Sequence, residues 1–397
     1  MIDKCEKEDG VENRVGFTFP SLSMLDDIIS KKRASVEKAI DYNIYQRFGN
    51  PTISNTEKAI AVHEKCSWAV LAPSGMAAID IAMSVFSDGS KHQKWCFFRE
   101  IYSGTRSYVD NILCEKRGIE VSYFSHELNG LLDLEALEVY LDEIKPEILY
   151  FEIITNPLSL LVDYQSVIAI AKKRKIKIII DNTLGTPYLF RPLEHNADLV
   201  VHSATKYISG KNNLLAGVVC GNNNHYEYLA REYRKSVGIV LYPAAAATLA
   251  LQMQDLKSRF MQQSKTASML ASYLRNSKSV VRVEYPGFFS EKVNMQDISD
   301  IGNSYSDCGA VITFWLEGND LTKAKLKRDM FVEGLLHPIK CSTSLGSFTT
   351  TIIHIGVLEP NALPLNTMAL RLSVGLEPYD YLQDSLESGI SNLKHLT

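Results

Sequence analysis

Short apolar runs alternate with helical patterns through residues 56–220, and this alternation limits the possible folds more than any other feature of the chain. Strands that alternate with amphipathic helices predict a largely parallel, doubly wound α/β sheet. Such a sheet binds ligands at the carboxyl ends of its strands. The predicted strands are Trp68–Ala72, Trp95–Phe98, Ile119–Phe124, Ile148–Glu152, Ile176–Asp181, Leu199–His202 and Ala216–Gly221, and the helices between them include Gly75–Phe86, Leu134–Leu141 and Tyr164–Lys173.

The 397 residues divide into three predicted parts. Residues 1–55 are polar and are expected to be irregular, residues 56–259 form the large α/β domain, and residues 260–397 form a smaller α+β domain. The segment Pro243–Arg259 is predicted to be one helix that leads into the last part. The strands expected there are Val280–Glu284 and Ala310–Leu316.

Composition argues against several classes of protein. A net charge of −4 without a basic stripe indicates no nucleic-acid partner, and the chain has no apolar run long enough to span a membrane. Seven scattered cysteines, an odd number without Cys-x-x-Cys, predict a reduced cytoplasmic chain. The nine histidines lack a His-x-x-x-His spacing, so no metal site is expected. The charged N-terminus does not resemble a signal peptide.

Lys206 follows the predicted strand Leu199–His202 and comes directly after Ser203 and Thr205. Burial at a strand end can keep a lysine amine partly neutral, which favours a Schiff base with pyridoxal phosphate (PLP). The two hydroxyl groups could then bind the phosphate. The alternative is a surface lysine whose stem packs along an edge strand.

Two further segments suit the same cofactor. Asp181 ends a predicted strand 25 residues before Lys206, one strand–helix–strand step away. An acid there can pair with the pyridine nitrogen, although a turn or helix-capping aspartate is the commoner case. Gly75 and Met76 open a predicted helix after Ser74, and the free N–H groups of a helix start suit a phosphate. Any capped helix can look like this, so the second signal is weak by itself.

Tyr102 and Arg371 complete the candidate site. Tyr102 follows the strand Trp95–Phe98 and could stack on a pyridine ring, or simply be a packing residue. Arg371 lies within an apolar, strand-like run, where a buried charge requires a partner. That partner is either a substrate carboxylate held bidentately or a structural Asp or Glu.

Taken together, these motifs resemble the Cys/Met-metabolism PLP-dependent enzymes, the family of cystathionine γ-synthase, cystathionine γ-lyase and methionine γ-lyase. The resemblance covers roughly residues 42–378, and the motifs occur in the family's order and at its usual separations. They are Tyr45–Thr52, Ser74–Ile79, Tyr102–Thr105, Asn156–Pro157, Asp181–Thr183 with Thr186–Pro187, Ser203–Lys206, Ser344–Gly346 and Arg371–Glu377.

The resemblance implies PLP fold type I, like that of aspartate aminotransferase, with a seven-stranded sheet and a small C-terminal domain. It implies that Lys206 carries PLP and moves protons, and that Tyr102 stacks on the ring and acts as acid or base towards the leaving group. It further implies a homotetramer built from two active dimers, in which the arm 1–55 contacts the neighbouring subunit. The other implied contacts are Asp181 to the pyridine nitrogen, Gly75, Met76, Ser203 and Thr205 to the phosphate, Tyr45 and Arg47 to the neighbour's phosphate, and Asn156, Arg371 and Ser344 to the substrate.

The chain departs from the family pattern around the expected substrate side chain. Gly210–Asn213 replaces the usual Gly-His-Ser-Asp, and Ser347–Thr351 replaces Gly-Val-Glu-Ser-Leu. Thr343 stands where several cystathionine-handling members have Glu, and Gly104 stands where methionine γ-lyase has Cys. The family's N-terminal His-Ala-Gly segment is not recognisable in residues 1–41.

We therefore expect intact PLP chemistry with an altered side-chain pocket. The expected reaction is γ-elimination on a specialised γ-substituted L-amino acid with a thiol, acyloxy or halide leaving group. The alternatives are a γ-replacement synthase, a β-lyase and, from another class, a non-catalytic PLP-fold binding protein.

Overall fold

The computed structural model describes residues 10–34, 43–87, 89, 93–125, 132–291, 308–318, 320–358 and 368–396. Two sheets organise these residues, one of seven strands and one of five.

The large sheet is mostly parallel, as the alternation predicted. Its strand order is β1-β7-β6-β5-β4-β2-β3, and β7 is antiparallel to both of its neighbours while the other pairs are parallel. Strands β1, β4, β6 and β7 are buried at every position, as expected of a sheet covered on both faces. The strands are β1 Trp68–Ala72, β2 Lys94–Phe98, β3 Glu120–Phe124, β4 Ile148–Glu152, β5 Lys177–Asp181, β6 Leu199–His202 and β7 Gly217–Gly221.

Helices that connect and cover these strands begin at conventional capping residues. Asn50, Ser74, Asp133 and Asp163 each accept a hydrogen bond from a backbone N–H in the first turn of the helix that follows. Helix α3 packs against β6 and β7, and α2 packs against β1. The helices up to residue 252 are α1 Leu22–Ala34, α2 Pro51–Glu64, α3 Gly75–Phe86, α4 Ser103–Tyr108 with a π-helical continuation Val109–Cys114, α5 Leu134–Ile144, α6 Tyr164–Lys173, α7 Thr186–Leu189, α8 Asn224–Val237 and α9 Pro243–Gln252.

The second sheet has the order β10-β11-β12-β9-β8 and is antiparallel except for the short β10–β11 pair. Helix α10 packs on β8 and β9, and α13 packs on α10 and α11. These elements are α10 Leu256–Arg275, β8 Val280–Glu284, β9 Val311–Leu316, α11 Leu321–Glu333, β10 Lys340–Cys341, β11 Thr351–His354, α12 Ile355–Leu358, β12 Leu370–Ser373 and α13 Tyr379–Asn392.

Two structural predictions are wrong. Pro243–Arg259 is not one helix, because the chain turns at residues 253–255 and α10 begins at Leu256. Arg259 explains the break, since its Nη2 donates to the Gln252 carbonyl oxygen at 3.1 Å and its Nη1 donates to the Tyr207 carbonyl oxygen at 2.6 Å. The N-terminal part is not wholly irregular, because it contains α1. The domain boundaries at 55/56 and 259/260 stay predictions.

The topology brings three chemically different strand ends to one edge of the large sheet. Glu152 of β4 lies opposite Asp181 of β5, and Asp181 lies opposite Val201 of β6. Strand β1 runs parallel to β6, because both are antiparallel to β7, so the segment after Ala72 reaches the same edge. No helix within the described ranges is both long and apolar enough to cross a membrane.

Candidate active site

A cavity of about 470 Å³ lies at this edge of the large sheet, beneath β12 of the second sheet. Its volume is in the usual range for a small-molecule site. Ten of the residues singled out from the sequence line it together: Gly75, Met76, Tyr102, Asn156, Asp181, Ser203, Thr205, Lys206, Ser344 and Arg371.

Lys206 is a cavity residue and not a surface lysine. Its Nζ donates to Ser344 Oγ at 3.5 Å. Burial and the nearby Arg371 guanidinium lower the pKa of Lys206 to about 8. A substantial fraction of this amine is therefore neutral at physiological pH, which is the form that attacks a carbonyl carbon.

Asp181 makes the contact expected of a turn aspartate, and its carboxyl group also lines the cavity, as the partner of a cofactor would. Its Oδ1 accepts from the Thr183 backbone N–H at 2.8 Å, which is the turn contact of the structural alternative. Its Oδ2 accepts from the Tyr150 hydroxyl at 3.3 Å, and the carboxyl group still faces the cavity. Burial raises the pKa of Asp181. A cationic group in the cavity would favour the ionised carboxylate again.

Glu152 is a cavity residue that the sequence reasoning missed. Its Oε1 accepts from the Tyr102 backbone N–H at 2.7 Å and its Oε2 accepts from the Asn156 backbone N–H at 2.9 Å. Burial and the neighbouring Asp181 raise the pKa of Glu152 well above its usual value. The available signal was its position, because it ends the predicted strand next to that of Asp181.

The start of α3 forms a close cradle against the segment after β6. A Cβ added at Gly75 would lie 2.7 Å from Ser203 Cβ, so only glycine permits this approach. The Ser203 N–H donates to Thr183 Oγ1 at 2.8 Å. Thr183 belongs to the quoted motif Asp181–Thr183, but the sequence assigned it no role. Thr205 Oγ1 donates to the Ala216 carbonyl oxygen at 3.1 Å and accepts from its N–H at 3.0 Å.

Tyr102 borders the cavity with 44% of its surface exposed. Its ring lies over Gly104, where an added Cβ would meet the Tyr102 Cε1 atom at 2.4 Å. A larger residue at position 104 would displace the ring from this position. The glycine that departs from the family pattern thus determines where the Tyr102 side chain can lie.

Arg371 is 2% exposed and lies on β12, above the large sheet. Its Nη1 donates to Asn156 Oδ1 at 2.9 Å and its Nη2 donates to the Thr343 carbonyl oxygen at 2.9 Å. Its buried Nε has no hydrogen-bond partner within the described part of the chain, and no described Asp or Glu pairs with it. Burial lowers the pKa of Arg371 to about 10. The structural-carboxylate alternative is therefore not observed, and the group can still receive an anion.

The two segments that depart from the family pattern contact each other. The Phe348 backbone N–H donates to the Gly210 carbonyl oxygen at 2.9 Å. The Phe348 ring lies 5.7 Å from Lys211 Nζ and 5.3 Å from the Arg259 guanidinium carbon. Asn212 Oδ1 accepts from Ser344 Oγ at 3.0 Å, so this loop also reaches the hydroxyl group next to Lys206.

Tyr45 and Arg47 do not line the cavity of their own chain. Arg47 Nη1 donates to the Lys235 carbonyl oxygen at 3.0 Å, and its guanidinium carbon lies 4.8 Å from the Phe48 ring centre. Tyr45 is 41% exposed.

The side chains around the cavity fit pyridoxal phosphate. An amine of lowered pKa and a carboxyl group that gains from a cationic partner line the same cavity, and the cradle at Gly75 offers the start of a helix to an anion. The Arg371 guanidinium, with a second N–H on each of Nη1 and Nη2, fits a second anion, such as an amino-acid carboxylate.

Comparisons with known proteins agree with this assignment. The family model described as Cys/Met metabolism PLP-dependent enzyme matches residues 20–391. A cystathionine beta-lyase of Lactococcus lactis is 31% identical over 87% of this chain and 88% of its own length. An L-methionine gamma-lyase of Porphyromonas gingivalis is 30% identical over 89% of this chain and 86% of its own. The crystal structure of a cystathionine gamma-lyase from Lactobacillus plantarum, complexed with L-serine, covers 97% of this chain and 93% of its own, with 25% identity and a TM-score of 0.81.

Proposed function

The chain belongs to the Cys/Met-metabolism PLP-dependent enzymes, and from this membership we propose that it catalyses γ-elimination on a γ-substituted L-amino acid. The family makes it an enzyme of fold type I that uses PLP for lyase or γ-replacement chemistry in amino-acid metabolism. Beyond family membership, we propose that the reaction is γ-elimination and that the substrate is a specialised one.

One observation supports the proposal that the substrate is an amino acid. Arg371 is buried and lines the same cavity as Lys206. Its Nη1 and Nη2 each make one hydrogen bond and each carry a second N–H, so a substrate carboxylate could accept from this end of the guanidinium, which Asn156 holds in place. The α-carbon of such a substrate is then delivered to the Lys206 side of the cavity.

When bound, PLP supplies an electron sink for negative charge at the substrate's α- and β-carbons. Lys206 would hold the resting cofactor, and its amine of lowered pKa would remove and return protons at those carbons. Asp181 keeps the ring nitrogen protonated through its charge. Gly75, Met76, Ser203 and Thr205 would hold the phosphate, and the Thr205 hydroxyl would first have to turn from the Ala216 carbonyl oxygen to which it now donates.

Tyr102 is the proposed acid for the leaving group. Its N–H is anchored by Glu152 while its ring remains partly exposed at the cavity, so the hydroxyl group is free to approach the γ-substituent. With a thioether substrate, the Cγ–S bond breaks, the sulfur keeps the electron pair and takes a proton. Addition of water overall gives a thiol, a four-carbon 2-oxo acid and ammonium.

The choice of γ- over β-elimination is a proposal, since a cavity of this volume suits either reaction. About 470 Å³ leaves room for PLP together with an amino acid whose chain extends beyond Cγ. Product identification tests this choice. Purified holoenzyme incubated with S-alkyl and O-acyl homoserine-type substrates should release 2-oxobutanoate, measured by mass spectrometry. Pyruvate from S-substituted cysteines as the main product would show a β-lyase, and a new thioether formed only with added thiol would show a synthase.

The proposed assembly is a homotetramer of two active dimers, in which Tyr45 and Arg47 reach the partner's phosphate site. Their position outside their own cavity supports this arrangement. Replacing Arg47 with alanine should weaken PLP binding in the assembled enzyme if the arrangement is correct. The cytoplasmic location stays a prediction.

A further inference from the structure

Two hydrogen bonds in series connect the loop at Asn212 with the amine of Lys206. Lys206 Nζ donates to Ser344 Oγ at 3.5 Å, and Ser344 Oγ donates to Asn212 Oδ1 at 3.0 Å. A serine hydroxyl group carries one proton, and a side-chain amide oxygen can only accept. Because Ser344 gives its proton to Asn212, it presents only lone pairs to Lys206. The amine therefore donates one N–H to Ser344 and keeps its own lone pair free for a proton.

The backbone around Ser344 is held by contacts that do not involve Asn212. The Thr343 carbonyl oxygen accepts from Arg371 Nη2 at 2.9 Å, and the Ser344 carbonyl oxygen accepts from Thr351 Oγ1 at 3.1 Å. The contact with Asn212 therefore sets the direction of the Ser344 hydroxyl proton and not the position of its backbone.

The backbone at residue 212 limits which side chains can make this contact. Its φ of +53° lies in the left-handed region, which asparagine, aspartate and glycine adopt more readily than other residues. Asparagine and aspartate combine this conformation with an acceptor oxygen, whereas glycine keeps the conformation and has no acceptor. The position belongs to Gly210–Asn213, a segment expected from the sequence to depart from the family pattern.

We propose that Asn212 is a positioning residue for proton transfer, because it turns the Ser344 hydroxyl group so that Lys206 can act as a base. This inference rests on the role proposed for Lys206. When the amine takes the α-proton of the substrate, the C–H bond breaks, its electron pair stays on the carbon, and a new N–H bond forms at Nζ. The resulting ammonium has Ser344 as a fixed acceptor. Without Asn212 the hydroxyl group is free to donate to the Nζ lone pair, which then competes with the α-proton.

Other groups near Lys206 also affect its pKa. Burial and the Arg371 guanidinium lower this pKa to about 8. The titratable and charged groups that line the cavity with Lys206 are Tyr102, Glu152, Asp181 and Arg371, and the proposed dimer adds Tyr45 and Arg47 of the partner subunit. Substitutions at residue 212 leave all of these side chains unchanged, so their effect on the amine reports the Ser344 hydroxyl group.

The first experiment compares two substitutions that suit the left-handed backbone. Asn212→Gly removes the acceptor, and Asn212→Asp keeps one. Each holoenzyme is incubated in D2O with L-norvaline, which has no leaving group, and exchange of the α-proton is followed by NMR across a range of pH. The maximal exchange rate should fall by about three- to tenfold in the glycine variant and stay within about twofold of wild type in the aspartate variant. Equal losses in the two variants, or no loss in the glycine variant, would overturn the inference.

The second experiment measures the Lys206 amine without turnover. Only the neutral amine reacts with PLP, so the rate of PLP uptake by the cofactor-free enzyme is measured against pH. In Asn212→Gly the ammonium form loses its fixed acceptor, and the midpoint should fall by roughly 0.5 on the pH scale. In Asn212→Asp the added negative charge should move the midpoint to higher pH. Unchanged midpoints, or shifts in the same direction, contradict the inference.

Two controls separate this role from a general structural one. Asn196→Gly makes the same substitution at another left-handed position, with φ of +70°, outside the cavity lining, and should keep the wild-type exchange rate and midpoint. In a Ser344→Ala background, Asn212→Gly should have no further effect, and an equal effect with and without Ser344 would overturn the inference.

These readouts also distinguish the inference from the proposed function. Exchange of the α-proton and uptake of PLP require no elimination. If homocysteine-type substrates give no 2-oxobutanoate, γ-elimination is wrong, and the comparison of the glycine and aspartate variants still decides the role of Asn212.

Discussion

The cofactor wall and the substrate rim of the same cavity are built differently. The cofactor wall comprises Gly75, Asp181, Thr183, Ser203 and Thr205. The substrate rim comprises Leu215, Thr343, Ser344, Leu345, Val357 and Leu358, together with the adjoining loop residues 210–214 and 346–351. In the wall, the Ser203 N–H donates to Thr183 and so joins the ends of β6 and β5, and the Thr183 N–H donates to Asp181 within the segment that ends β5. The rim lies on loops and a short helix, and Thr343, Val357 and Leu215 are exposed. Such an enzyme can keep its catalytic residues on rigid strand ends, while sequence changes in its loops alter which substrate it accepts.

The largest expected effect is on the wall. Lys206→Ala removes both the proposed cofactor link and the proposed proton carrier, so release of 2-oxo acid should fall by at least about a thousandfold. The matched control is Lys173→Ala, at an exposed position in the last turn of α6, which should keep wild-type activity. Turnover by the Lys206 variant near the wild-type rate would disprove the assigned chemistry.

Replacing Arg371 should change both substrate binding and the pKa of Lys206. Arg371→Met removes the carboxylate partner and should raise KM by roughly a hundredfold, since hydrogen bonds to charged groups contribute about 1.5–3 kcal/mol each. The nearby positive charge also helps to lower the pKa of Lys206, so its loss should raise that pKa. Arg282→Met, on β8, is the control.

The pH dependence of cofactor uptake measures directly how far Arg371 lowers the pKa of Lys206. Only the neutral amine reacts with PLP, so the rate of cofactor uptake by the cofactor-free enzyme should rise with pH and level off above about 8. In Arg371→Met the midpoint should move to higher pH. An unchanged midpoint would mean that the two groups do not interact as the structure indicates.

Replacing Glu152 with glutamine should have an intermediate effect on the unfolding free energy and on kcat. In Glu152→Gln one of the two backbone N–H groups, of Tyr102 or Asn156, faces an amide NH2 and loses its acceptor. This costs about 1–3 kcal/mol of unfolding free energy, and kcat should fall roughly tenfold because Tyr102 and Asn156 shift. Thermal unfolding and steady-state kinetics test this, with Glu143→Gln on the exposed side of α5 as the control. A kcat equal to that of the control would remove Glu152 from the positioning of the site.

The smallest expected effects come from two substitutions, one in the cofactor wall and one in the substrate rim, which compare the two regions directly. Thr183→Val removes the acceptor for the Ser203 N–H and should weaken PLP binding by roughly five- to tenfold. Asn212→Ala removes the acceptor for Ser344 Oγ on an exposed loop and should change PLP binding by less than about twofold. If the rim variant lost more cofactor than the wall variant, the division between the two regions would be wrong.

The sequence predicted the wall better than the rim, for a physical reason. Strands such as β4 and β6 are buried throughout, so their limits and the residues that follow them could be read from apolar runs. Glu152 was missed because its task is to hold backbone groups of distant segments, which no local pattern records. The break after α9 was missed because it depends on Arg259 reaching the carbonyl oxygen of Gln252.

The contact between Phe348 and Gly210 has a consequence for how this enzyme could have diverged. The two loops expected from the sequence to depart from the family pattern share a backbone hydrogen bond and an aromatic ring between two cations, so neither loop is an independent module. A chimaera that imports one loop from a relative would leave the other without its counterpart. Transplanting selectivity into or out of this scaffold should therefore require both segments to be grafted as a unit.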